Sequence, residues 1–168
     1  MSRLKSVIAA ALIAFCVSAP SRAAEKEAFL DHLSGNWVVT GTIAKAATTH
    51  DVKAEWVLQN HYLRLTEISR EKDAAGKPQY EAEVLLAFDP AKQHFVCVWF
   101  DNTVIAGTAD GGSAVREGDS LPFVFKSPAG DFFNTMTYDA KADSWHWAMA
   151  GEVNGERKPF AELTLKRP

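Results

Sequence analysis

The groups in this chain best able to do chemistry are five histidines (His32, His50, His61, His94 and His146), Cys97, several acids and Arg64. Metal binding asks for ligands converging from one or two elements, at spacings such as His-x3-His or His-x-Glu-x-His. No two of these histidines stand so, and no metal is expected. A haem iron would need one histidine on an inward strand face. His146 alone lies mid-strand among aromatic residues, and alternation sets it on the side away from the tryptophans. No cofactor is therefore expected. Cys97 alternates with Phe95 and Trp99, the setting of an inert core thiol. There is no Gly-x-Ser-x-Gly, and Glu81 and Glu83 share the polar face of an alternating strand. No catalytic residue is assigned.

Binding chemistry is better represented. Tyr62, Arg64, Thr66 and Ile68 share one face of a strand, and Leu63, Leu65 and Glu67 share the other. Whichever face turns inward carries an ionisable group with it, at a cost of several kcal/mol unless that group is paired or solvated. An inward Arg64 would anchor a carboxylate head group, with Glu67 the inward alternative; an Arg64 that is exposed or held in a structural ion pair is the other reading. A second candidate surface comes from the hairpin Phe132 to Val153. Pairing it from the loop Asp139 to Ser144 sets Tyr138 against Trp145, Met136 against Trp147 and Asn134 against Met149, all on one side. Flexible methionines and flat rings of this kind pack a core, line an adaptable pocket, or do both. The expected ligand-binding residues are Arg64, Trp99, Met136, Tyr138, Trp147 and Met149.

The elements that must position these residues are short strands. A helical patch, Lys26 to Leu33, precedes Leu33-Ser34-Gly35-Asn36-Trp37. Strands are then predicted over Trp37 to Ala44, Val52 to Leu58, Tyr62 to Ser69, Tyr80 to Phe88, Phe95 to Phe100, Val104 to Thr108, Ser113 to Arg116, Leu121 to Lys126, Phe132 to Tyr138, Ser144 to Val153 and Pro159 to Lys166. Lys45 to His50 reads as a small, polar connection. Asp101-Asn102-Thr103 and Asp110-Gly111-Gly112 read as hairpin turns without a calcium-loop pattern. About ten short strands with no crossover helix predict an all-β fold, a single antiparallel up-and-down barrel whose closure removes sheet edges.

Residues 1–23 read as a cleaved signal peptide: Arg3 and Lys5 precede the apolar run Val7 to Val17, and Ser21-Arg22-Ala23 offers a cleavage site. A lipid anchor at Cys16 is the alternative, disfavoured by the bulky Phe15 before it. The rest, residues 24–168, is expected to be one barrel domain in the periplasm or medium, with no stable membrane insertion. Of 18 basic residues that segment loses Arg3, Lys5 and Arg22, leaving 15 against 21 acids and a formal charge of −6. Such a balance disfavours nucleic acid as a partner. With Cys16 removed, Cys97 has no partner for an internal disulfide, so the fold rests on its apolar core. Oligomeric state is not set by the sequence.

Gly35-Asn36-Trp37 after a helical patch, the Leu86-Ala87-Phe88-Asp89-Pro90 hairpin and the glycine-rich middle resemble the calycin superfamily. The likeness is strongest to small secreted bacterial lipocalin-like domains of unknown function, and more distant to nitrobindin and fatty-acid-binding barrels. The Thr-Asp-Tyr-type motif and the disulfide of true lipocalins are missing. The resemblance implies that Trp37 packs at the closed end of the barrel under a basic residue, Lys166 or Arg167, and that a small hydrophobic or amphipathic molecule binds inside. The alternatives are an isomerase- or dehydratase-type enzyme using the same cavity, and a structural or stress-related envelope protein with a side-chain-filled barrel.

Overall fold

The computed structural model describes residues 27–103 and 111–168. The expected signal peptide, the strand Val104 to Thr108 and the start of the Asp110 turn lie outside these residues. Among the described residues the chain forms one short helix, α1 (Ala28–Asp31), and ten strands. These are β1 (Gly35–Ile43), β2 (Ala46–Val57), β3 (Tyr62–Ser69), β4 (Glu81–Asp89), β5 (His94–Asp101), β6 (Gly112–Ala114), β7 (Ser120–Phe125), β8 (Phe132–Asp139), β9 (Ser144–Val153) and β10 (Glu156–Lys166). Each strand pairs antiparallel with its sequence neighbour, and β1 pairs with β10 to close an up-and-down barrel.

Alternation along each strand builds the interior. On β3, Leu63, Leu65, Glu67 and Ser69 are buried while Arg64 and Thr66 face outward. On β8 and β9 the registered pairs are Asn134 with Met149, Met136 with Trp147 and Tyr138 with Trp145, the pairing expected from the loop. One expectation is corrected. Lys45 to His50 is not a connection: the turn occupies Ala44 and Lys45, and β2 runs on from Ala46. Its first half pairs residue for residue with β1, from Ile43 opposite Ala46 to Val39 opposite His50. A ladder of backbone hydrogen bonds outweighs the weak local signal of small and polar residues.

The α1 end of the barrel is filled by the protein's own side chains. Glu27 caps the helix by accepting from the amides of Phe29 and Leu30 at 2.8 and 3.0 Å. Phe29 then packs edge-on against Phe95 and Trp145. Trp37 is buried beneath, its indole N–H donating to the Leu33 carbonyl at 2.7 Å. The Arg167 guanidinium lies 3.6 Å above the Trp37 ring and donates to the carbonyls of Ser34 and His32. Of the two basic residues expected there, Arg167 takes the place. Gly35 has φ +114°, and a Cβ on it would stand 2.6 Å from Arg167 Nη1. The glycine of Gly35-Asn36-Trp37 thus leaves room for the arginine that covers the tryptophan.

Candidate functional site

Successive inward residues on each strand run from this closed end to an open cavity. Along β9 and β8 the sequence of levels is Trp145 and Tyr138, then Trp147 and Met136, then Met149 and Asn134. The last pair lines a cavity of about 890 Å³, within the usual ~300–1,000 Å³ range of small-molecule sites. One side of it is apolar, with Ile43, Phe125, Phe132 and Leu163 among its walls. Phe100 and Phe160 also line it and remain 51% and 42% exposed, so they border its opening to solvent. Phe160 stands where the β9–β10 register shifts, between Pro159 and Ala161. Proline has no N–H to give the ladder, and a bulge there re-aims its neighbour.

The opposite side is polar and highly organised. His50 and Glu67, both inward on adjacent strands, are 1% and 2% exposed. His50 Nδ1 and Glu67 Oε1 share a hydrogen bond of 2.5 Å. On the other side of the imidazole, Nε2 is 2.6 Å from Thr48 Oγ1, and that hydroxyl donates to Glu71 Oε2 at 3.0 Å. With the hydroxyl proton given to Glu71, Nε2 must be the donor to Thr48, and one further proton lies between Nδ1 and Glu67. The result is a chain of four groups, Glu67–His50–Thr48–Glu71, along one wall. Burial opposes ionisation of Glu71. Donation from its own backbone amide, from Thr49 N–H and from the Thr48 hydroxyl outweighs that, holding its carboxyl below the usual range.

Tyr80 and Trp99 extend this wall. The Tyr80 ring stacks on His50 at 5.4 Å, and its hydroxyl accepts from Trp99 Nε1 at 2.9 Å. Burial, reinforced by the charge of Glu67, pushes the Tyr80 phenol far up, so it remains a neutral hydroxyl. Asn134 lines the cavity from β8, across the barrel among the apolar residues. It is 1% exposed, and among the described residues its Oδ1 has no hydrogen-bond partner. A buried acceptor left unmatched costs about 1–3 kcal/mol.

The residues singled out from sequence fall at different places. Trp99 and Met149 line the cavity. Trp147 and Met136 are fully buried one level deeper, with Trp147 edge-on to Trp99 at 6.2 Å. Tyr138 belongs to the closed end, stacked on His32 at 4.6 Å and donating to Asp143 at 3.1 Å. Arg64 is on the outer face, its side chain 43% exposed and paired with Glu55. The inward alternative on that strand is Glu67. His146 is also outside, with Nε2 at 2.9 Å from Glu162. Cys97 is buried, and burial pushes its thiol far up.

The model of a protein family of unknown function, DUF1579, matches residues 22–123. The chain belongs to the DUF1579 family. No curated protein matches it. The matched DUF1579 stretch contains the whole Glu67–His50–Thr48–Glu71 chain together with Tyr80 and Trp99, whereas Asn134 and Met149 lie beyond it. Within this DUF1579 barrel, His50, Thr48, Glu71, Tyr80 and Asn134 were not expected as site residues. A signal for two of them was present: extending the alternation of Val52, Ala54 and Trp56 backwards by two and four places sets His50 and Thr48 on the inward face.

Proposed function

We propose that this protein is an exported, lipocalin-like carrier of a small amphipathic molecule, held in the barrel cavity. The observation that supports this most is the cavity itself: about 890 Å³, apolar on one wall and hydrogen-bonded on the other, above a core already filled by Trp147, Met136 and Trp145. A barrel needing only stability would fill that volume too, because empty apolar space costs dispersion contacts. The arrangement of helix, Trp37 and Arg167 at the closed end supports kinship with the calycins. Residues 1–23 supply the export signal, and periplasmic protein should begin at Ala24.

Trp99 gives the test, because its ring lines the cavity and its indole N–H is tied to Tyr80. Titration with single-chain amphiphiles should change tryptophan emission saturably, and Trp99→Phe should remove most of that change. An emission spectrum indifferent to every amphiphile, with no small molecule retained in native mass spectrometry, would overturn the proposal.

A second reading has one specific observation behind it. A histidine backed by a carboxylate beside a cavity is the acid–base pair that isomerase or dehydratase chemistry requires, provided a substrate displaces Thr48 from Nε2. Incubation with a bound ligand in deuterium oxide separates the readings. A carrier returns the ligand unlabelled, and an enzyme of this type exchanges a carbon-bound hydrogen in the wild type and not in His50→Gln.

A further inference from the structure

The polar wall of the cavity has a definite hydrogen-bonding polarity. It presents acceptors. Glu71 and Asp101 both line it, as does the Glu67–His50 pair, which holds one shared proton and so is neutral overall. Both ring nitrogens of His50 are occupied, by Glu67 and by Thr48, so the imidazole has no N–H left for a ligand. Lys126 is the one lysine or arginine among the described lining residues; its side chain is 80% exposed and its ammonium is paired with Asp131. Arg64 faces the outside.

From β8, on the opposite side of the barrel, Asn134 supplies an independent pointer to what the cavity would bind. Its side chain is almost wholly buried, it lies among the cavity-lining residues, and its Oδ1 accepts from none of the described residues. Buried acceptors are satisfied in folded proteins in the great majority of cases, by protein, water or ligand. A hydrogen-bond donor arriving in the cavity would satisfy this one. A carboxylate would bring further acceptors to a wall that has no free donor of opposite charge, and at low salt would be repelled by Glu71 and Asp101.

We propose that the cavity selects amphiphiles whose head group donates hydrogen bonds and is not anionic, an alkylammonium before an alcohol, and that it discriminates against carboxylates such as fatty acids. The inference rests on the carrier reading above and names the class of its ligand. Asn134 is the head-group contact, Glu71 and Asp101 set the preferred charge, and the phenylalanines Phe100, Phe125 and Phe160 receive the apolar chain. The ionised state of Glu71, favoured by its three donors, supports the charge preference at neutral pH.

The experiment is competition against a neutral fluorophore, N-phenyl-1-naphthylamine, by three amphiphiles of one chain length: dodecylammonium, dodecanol and dodecanoate. At neutral pH and low salt, dodecylammonium and dodecanol should displace the probe at concentrations at least about tenfold below dodecanoate. Asn134→Leu should weaken the first two and bring all three within about threefold of one another. Glu71→Gln, at the cavity edge, should remove the advantage of the ammonium over the alcohol, and it serves if Asn134→Leu does not fold. Dodecanoate binding as well as or better than the others overturns the head-group inference while leaving the carrier reading standing. Probe bound but displaced by none of the three also overturns it. A probe that does not bind saturably at all overturns the carrier reading itself, and this inference with it.

Discussion

His50 Nδ1 and Glu67 Oε1 stand 2.5 Å apart inside the barrel, on adjacent strands, each side chain almost wholly shielded from water. The pair gives the interior a polar pole without leaving a lone buried charge, because each group supplies what the other lacks. Thr48 and Glu71 continue the chain towards the cavity edge, and Tyr80 covers the imidazole face. An otherwise apolar barrel can thereby keep one wall wet enough for a head group.

Removing both members of that pair should cost less than the two single losses added together. Glu67→Leu or His50→Leu leaves a buried partner unmatched, and each should lower stability by about 2–4 kcal/mol. The double variant should lose less than the sum of the two, with a coupling of about 1–3 kcal/mol. Urea unfolding of the four proteins measures this. Strict additivity would show that the two side chains do not act as a unit.

The closed end should carry stability and not binding. Gly35→Ala drives a Cβ into the Arg167 guanidinium, and should lower stability by about 1–3 kcal/mol. Arg167→Gln removes the cover over Trp37 as well as two donors to helix-end carbonyls. Both variants should bind N-phenyl-1-naphthylamine within about twofold of wild type at a temperature where they are folded. A large loss of affinity in either would move the site to this end of the barrel.

Arg64→Met should leave amphiphile binding unchanged within about twofold, because the guanidinium lies on the outer face with Glu55. A several-fold loss of dodecanoate affinity would contradict that placement.

Acid should weaken the fold through identified carboxylates. The Arg167 guanidinium beside Asp143, helped by the Tyr138 hydroxyl and opposed by burial, holds the Asp143 carboxyl below its ordinary range. Glu71 is held low by its donors in spite of burial. A carboxyl depressed in the folded state binds protons less readily there than in the unfolded chain. Its contribution is therefore complete above the unfolded value and disappears as pH falls through the folded one, between about pH 5 and pH 2. Urea midpoints measured across that window should drop, and the drop should be shallower in Asp143→Asn and in Glu71→Gln. An unchanged slope in both variants would assign the acid sensitivity elsewhere.

Local alternation made much of the barrel legible in the sequence, and cross-strand chemistry hid the site. The β8–β9 register followed from one short loop, since a hairpin fixes every pair once its turn is fixed. That loop sufficed to bring Met136 opposite Trp147 and Asn134 opposite Met149. The inward face of β3 was undecided within the strand itself, because both faces carry an ionisable residue. Glu67 can turn in because His50, 17 residues earlier on β2, receives it; nothing near Glu67 in sequence announces that partner. The reading of Lys45 to His50 as a connection hid the same histidine. Asn134 was placed on the inward face by its pairing, but its unmatched oxygen is a property of three-dimensional neighbours alone.

The chain's three methionines stand at Met1, Met136 and Met149, and they allow the central claim to be tested at the level of single side chains. Met149 lines the cavity, whereas Met136 is sealed one level below it. In protein labelled with 13C at the methionine methyls, and assigned with Met136→Leu and Met149→Leu, titration with dodecylammonium should move the Met149 signal saturably. The Met136 signal should move much less. A Met149 signal that stays still at every concentration, or that moves only together with general unfolding, would contradict a ligand held in this cavity.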